Sequence, residues 1–167
     1  MNNVTRPSPL IAALDAASTA ATEAYTAHVA VHYTTPAYAV VENASGDWLH
    51  DPSQPTRVVD TMFDVCGFVW VTVDNRRNNG APGKKLLAEF KRNSKADFCG
   101  EIRKLGAYSI SHSGYDGSWH LSGHGSDSVT GGTGNGALGA ARAGAQAFVE
   151  SMTAAGYQGM RVESRID

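Results

Sequence analysis

The stretch VCGFVWVTVD, residues 65–74, decides the fold. Its side chains alternate, with Val65, Val69, Val71 and Val73 pointing one way and Cys66, Phe68, Trp70 and Thr72 the other. Apolar bulk on both faces is the pattern of a central strand, because an edge or half-wet strand keeps one polar row.

Working outward, residues 75–82 read as a polar turn, and GKKLLAEFKRN (83–93) reads as a basic amphipathic helix with Leu86, Leu87 and Phe90 inward. Residues 107–112 and 118–124 are two strands joined by the turn SGYDG (113–117). The glycine-rich run TGGTGNGALG (130–139) then leads into a helix with Leu138, Ala141, Ala145, Phe148 and Met152 on one stripe, which Gly156 stops. Residues 160–166 alternate Met160, Val162 and Ile166 against Arg161, Glu163 and Arg165, a last strand.

The order is strand, helix, strand, strand, helix, strand, which predicts an α+β domain: a ferredoxin-like split βαβ plait over residues 63–167. In that plait both helices cover one face of an antiparallel sheet, with the first and third strands central. Alternation places Val65, Val69, Val71, Tyr108, Ile110, Trp119, Leu121, Val162 and Ile166 on the covered face. Phe68, Trp70, Ser109, Ser111, His120, Ser122, Arg161 and Arg165 fall on the other.

Before this domain, residues 1–62 read as an alanine-rich helix, a short strand at 37–42 and a linker. Leu10, Leu14, Ala17, Ala21, Ala24 and His28 recur at helical spacing, and Thr34-Thr35-Pro36 ends the run. Residues 43–61, with Gly46, Pro52 and Pro55, read as loop. This helix either covers the Phe68/Trp70 face or leaves it open.

A chain of 167 residues with net charge −2 has neither room for two catalytic domains nor the overall basic excess of a general DNA binder, so any nucleic-acid contact is local. Two cysteines, Cys66 and Cys99, make no disulfide framework or zinc-finger spacing, and a reducing cytoplasm is the simplest reading. No apolar run is long enough for a membrane span. The expectation is a cytoplasmic protein without membrane contact, metal or cofactor.

Three constellations could carry chemistry. On the second sheet face, Phe68, Trp70 and His120 adjoin Arg161 and Arg165, rings beside cations that suit an unpaired base or a nucleotide, with Asp167 closing the group. The basic residues Arg76, Arg77, Lys84, Lys85, Lys91, Arg92 and Lys95 crowd the turn and helix after the first strand and suit phosphates or an acidic protein, unless they are simply a solvated face. Gly134, Gly136 and Gly139 have dinucleotide-fingerprint spacing before a helix, but no strand immediately precedes them. His28 and His32 lie one helical turn apart without further metal ligands, and a Cys66–His120 nucleophile pair competes with an inert buried cysteine.

The strand VCGFVWV, the hairpin residues Tyr115-Asp116-Gly117-Ser118-Trp119, the helix segment Ala143 to Phe148 and the closing Ser164-Arg165-Ile166-Asp167 together resemble small hypothetical proteins of tailed-phage genomes. The likeness covers roughly residues 65–167 and implies a phage origin without implying an activity. The expected function is that of a phage-type accessory protein modulating a host or defence process by binding nucleic acid, a nucleotide signal or a host protein, with a homodimer open. A small enzyme acting on nucleic acid or nucleotide through His120, Arg165, Asp167 and Cys66, which requires the first three in one cleft, and a virion component are the alternatives.

Overall fold

The computed structural model describes residues 8–43, 56–65, 67–74, 82–96, 102–113, 118–123, 129–132 and 137–166. It is an α+β fold built on one antiparallel sheet. Helix α1 (Pro9–His32) begins at Ser8, whose hydroxyl accepts from the Ile11 amide, with Pro9 in the first turn where its missing N–H costs nothing. A two-stranded antiparallel hairpin follows, β1 (Tyr38–Asn43) and β2 (Thr56–Met62). The second of these strands falls where the sequence reads as linker.

The main sheet comprises β3 (Gly67–Val73), β4 (Lys95–Ala96), β5 (Ile102–Leu105), β6 (Tyr108–His112), β7 (Trp119–Gly123) and β8 (Met160–Ile166). Their order is β4-β5-β6-β7-β3-β8, and every neighbouring pair is antiparallel. The four expected strands are present, and β3 and β7 adjoin as anticipated. The strand order nevertheless departs from a four-stranded plait, because β4 and β5 extend the sheet beyond β6.

Helix α2 (Lys84–Asn93) joins β3 to this extension, and α3 (Leu138–Ala154) precedes β8. The end of α3 is a Schellman cap: Gly156 takes φ +87°, its amide donates to the Thr153 carbonyl, and the Tyr157 amide donates to that of Met152.

One apolar cluster joins all three helices to one face of the sheet. Leu10, Leu14, Ala17 and Ala21 of α1 pack with Leu86, Leu87 and Phe90 of α2, Phe148 and Met152 of α3, and Val71, Val73, Ile110, Trp119 and Leu121 of the sheet. The segment division expected at residue 62 therefore does not separate two cores, since α1 belongs to the same one. Small residues let α1 and α3 approach each other. A methyl group on Gly144 of α3 would lie 1.9 Å from the Thr130 carbonyl oxygen, and one on Gly131 would lie 2.2 Å from that of Ala21. Thr130, Gly131 and Gly132 are thus wedged between the helices.

The inward row matches the alternation with one correction. Ile166, expected inward, is 64% exposed, because it stands at the end of edge strand β8 beyond the cover of the helices.

Candidate functional site

Register places the candidate residues. Phe68 opposes Arg165, Trp70 opposes Glu163, and Thr72 opposes Arg161 on one side and His120 on the other. His120 in turn opposes Ser111, Ser122 opposes Ser109, and Ser109 opposes Lys104. Paired residues share a face, so these side chains form one surface. All three helices lie on the opposite side, and α1 does not cover it. Among the described residues this face is open, and Phe68 is 56% exposed on it.

The rings are held in place. Trp70 and His120 stack with centroids 6.3 Å apart and planes at 28°. Trp70 Nε1 donates to Glu163 Oε2 at 3.2 Å, and the other carboxylate oxygen takes Arg161 Nε at 2.7 Å and the Thr72 hydroxyl at 3.3 Å. Arg161 Nε also reaches Thr72 Oγ1 at 3.2 Å. This network fixes the indole by its edge and leaves Phe68 beside it. Arg161, Arg165 and Lys104 stand against the carboxylates of Glu163 and, at the end of β3, Asp74, so the described surface is net positive although the chain is not.

Asp167 lies outside the described residues, as do Arg76, Arg77, Cys66 and the fingerprint glycines Gly134 and Gly136. His120 and Arg165 are not brought into one cleft. They are four rungs apart along β3 and on opposite sides of it, about 13 Å along the strands and roughly 10 Å across them. The enzyme reading loses the proximity of those two groups.

The basic helix is separate from the rings. Lys84, Lys85, Lys91 and Arg92 are exposed on α2, which packs on the covered side of the sheet. Lys85 Nζ donates to the Gly156 carbonyl at 3.2 Å and sits 4.9 Å from the Tyr157 ring centre, and Lys91 Nζ lies 5.7 Å from that of Trp119. Two of the four cations therefore have intramolecular partners.

A third cluster escaped the sequence reading. Asp64, just before β3, accepts through Oδ2 from the Tyr33 hydroxyl at 2.6 Å and from the Gly139 amide, and through Oδ1 from the Val65 amide at 2.7 Å. The Ala140 amide donates to the Tyr33 oxygen at 3.4 Å. Asp64 and Tyr33 thus cap the N-terminus of α3, whose own N-cap Ala137 offers no side chain. Burial raises the Asp64 pKa, but the bonds from Tyr33, Gly139 and Val65 and the nearby His28 outweigh it and bring the carboxyl below its ordinary range. The chain's own carboxylate and phenol occupy that end of α3, taking the Gly139 and Ala140 amides. The His28 and His32 rings lie tilted at 39° with centres 4.3 Å apart, and among the described residues no group of three or more His, Cys, Asp or Glu could hold a metal.

Fold and site together define an α+β protein with a sheet face that, among the described residues, is uncovered, aromatic and net positive. Compared with protein-family models, curated proteins and solved structures, the chain matches none. Among the described residues no helix is long and apolar enough to cross a membrane.

Proposed function

We propose that the open sheet face binds single-stranded nucleic acid, stacking unpaired bases on Phe68 and on the Trp70–His120 pair while Arg161, Arg165 and Lys104 meet phosphates. The carrying observation is Phe68, a large ring 56% exposed on a sheet face free of helices and lying beside a second, hydrogen-bonded ring system. Leaving such a ring in water is unfavourable, and a base supplies a flat apolar partner of matching size.

The accessory role in an infected cell, expected from the sequence, belongs to this proposal. The consecutive antiparallel strands β6-β7-β3-β8, with a helix after β3 and another before β8, support a ferredoxin-like plait elaborated at one edge.

The test is fluorescence anisotropy with labelled single-stranded RNA and DNA at low salt. Phe68→Ala should weaken binding about tenfold or more, since stacking contributes roughly 1–3 kcal/mol per base, and Arg165→Gln should flatten the salt dependence. Absence of salt-sensitive binding by the wild-type chain, or binding indifferent to Phe68→Ala, rejects the reading.

A further inference from the structure

The two edges of the sheet are unlike. At one end stands β4, two residues long, and at the other β8, seven residues long and paired to β3 in an unbroken register from Met160 to Ile166. Among the described residues no strand pairs with the outer side of β8. An edge of this length presents backbone donors and acceptors outward, and proteins commonly blunt such an edge with charges, a proline, a bulge or a covering loop. Among the described residues β8 has no proline and no bulge, and its three charges alternate in sign, which suits a partner strand carrying the opposite alternation.

Their arrangement is self-complementary. If two β8 strands lie antiparallel about Ser164, Glu163 of each opposes Arg165 of the other, and Val162 of each opposes Ile166 of the other. No like charges meet anywhere in the alignment. Moving the centre by one residue to Glu163 puts Glu163 against itself and Arg161 against Arg165, and a Val162 centre avoids like charges but sets Ile166 opposite Gln158, outside the strand, so charge and apolar cover together select the Ser164 register.

A second observation agrees. Ile166 is 64% exposed and Val162 is half-buried against the core, both on the helix-covered side. The Ser164-centred register brings each Ile166 onto the partner's Val162, covering the apolar side chain that the single chain leaves bare.

We propose that β8 pairs antiparallel with β8 of a second copy about Ser164, making a homodimer with one continuous twelve-stranded sheet. The two-fold axis is normal to the sheet, so both Phe68/Trp70 surfaces face the same side. Each interface contains two Glu163–Arg165 cross-strand pairs and two Val162–Ile166 contacts, with Ser164 beside Ser164.

Sedimentation velocity of the full chain over a hundredfold concentration range, without nucleic acid, tests this independently of the binding reading. The wild type should shift from monomer to dimer. Arg165→Glu, on an exposed side chain, places Glu163 against a glutamate twice and should raise the dimer dissociation constant about tenfold or more. The double change Glu163→Arg with Arg165→Glu should restore it. Ser164→Cys supplies a reading free of charge changes: opposed residues of antiparallel strands are about 4.5–5.5 Å apart at Cα, within disulfide reach. Mild oxidation should therefore crosslink this variant into dimers beyond the background of Cys66 and Cys99 in the wild type. A wild-type chain monomeric at every concentration overturns the proposal. So does a dimer that survives Arg165→Glu, or one that Ser164→Cys does not crosslink.

Discussion

The Tyr33 hydroxyl stands 2.6 Å from Asp64 Oδ2, which ties the C-terminal cap of α1 to the residues that enter β3, and both side chains meet the amide end of α3. Three parts of the chain distant in sequence converge on one carboxylate. Phe63 stacks on the same tyrosine at 5.9 Å. An ionised acceptor at a helix N-terminus is favoured both by its hydrogen bonds and by the helix dipole.

Asp64→Asn should lower stability by about 2 kcal/mol, the scale of charged hydrogen bonds lost at a partly buried site. The sign of the pH effect follows from the lowered carboxyl pKa. An unfolded aspartate titrates near 4, so the stabilisation is complete above about pH 4 and is lost as pH falls through the folded value. Urea unfolding of wild type and Asp64→Asn between neutral and acid pH should converge as the medium becomes acid.

Burial first, then the hydrogen bond to Asp15, pushes Tyr108 up to about 12, and burial with Glu89 does the same for Tyr157. Tyr33 is raised further by burial and Asp64. Because the folded values exceed the unfolded one, the stabilisation is complete below about pH 10 and is lost as pH rises through the folded values. Phenolate absorbance should show three of the six tyrosines titrating late, and Tyr108→Phe should remove one of these while costing about 1 kcal/mol.

Gly144→Ala should destabilise by about 1–3 kcal/mol or more, because the added methyl overlaps a backbone carbonyl that cannot retreat without parting α1 from α3. Thermal melting measures it. Phe68→Ala, on an exposed ring, should move stability by no more than about 0.5 kcal/mol.

On α2, Lys85→Gln should cost up to about 1 kcal/mol through the lost Gly156 bond and Tyr157 contact. Lys84→Gln should be silent in melting. Since α2 lies across the sheet from Phe68, a combined glutamine replacement of Lys84, Lys85, Lys91 and Arg92 should leave the loss caused by Phe68→Ala unchanged in anisotropy titrations, the two effects adding independently.

The sheet's centre was legible because VCGFVWVTVD alternates without interruption, and the same alternation placed Phe68, Trp70 and His120 on one surface. The extension was not legible. β5 reads Ile-Arg-Lys-Leu, which has no two-residue apolar period, and β4 is two residues long. β2 follows Pro52 and Pro55, whose turn signal masked Arg57-Val58-Val59. The Asp64 cap had no local signature, since its partner amide at Gly139 lies 75 residues away and the usual capping position is an alanine. Long-range satisfaction of helix ends is set by packing, and neither propensity nor spacing carries it.

The unequal edges also bound the size of any assembly. A sheet able to accept a strand at both margins grows without limit, as fibrils do. Among the described residues of the main sheet only the β8 margin is long enough to accept one, and the proposed two-fold pairing uses that margin on both copies at once, leaving the two-residue β4 at each outer end. In the proposed dimer, growth of this sheet ends at two chains, so its long edge is not left to seed aggregation.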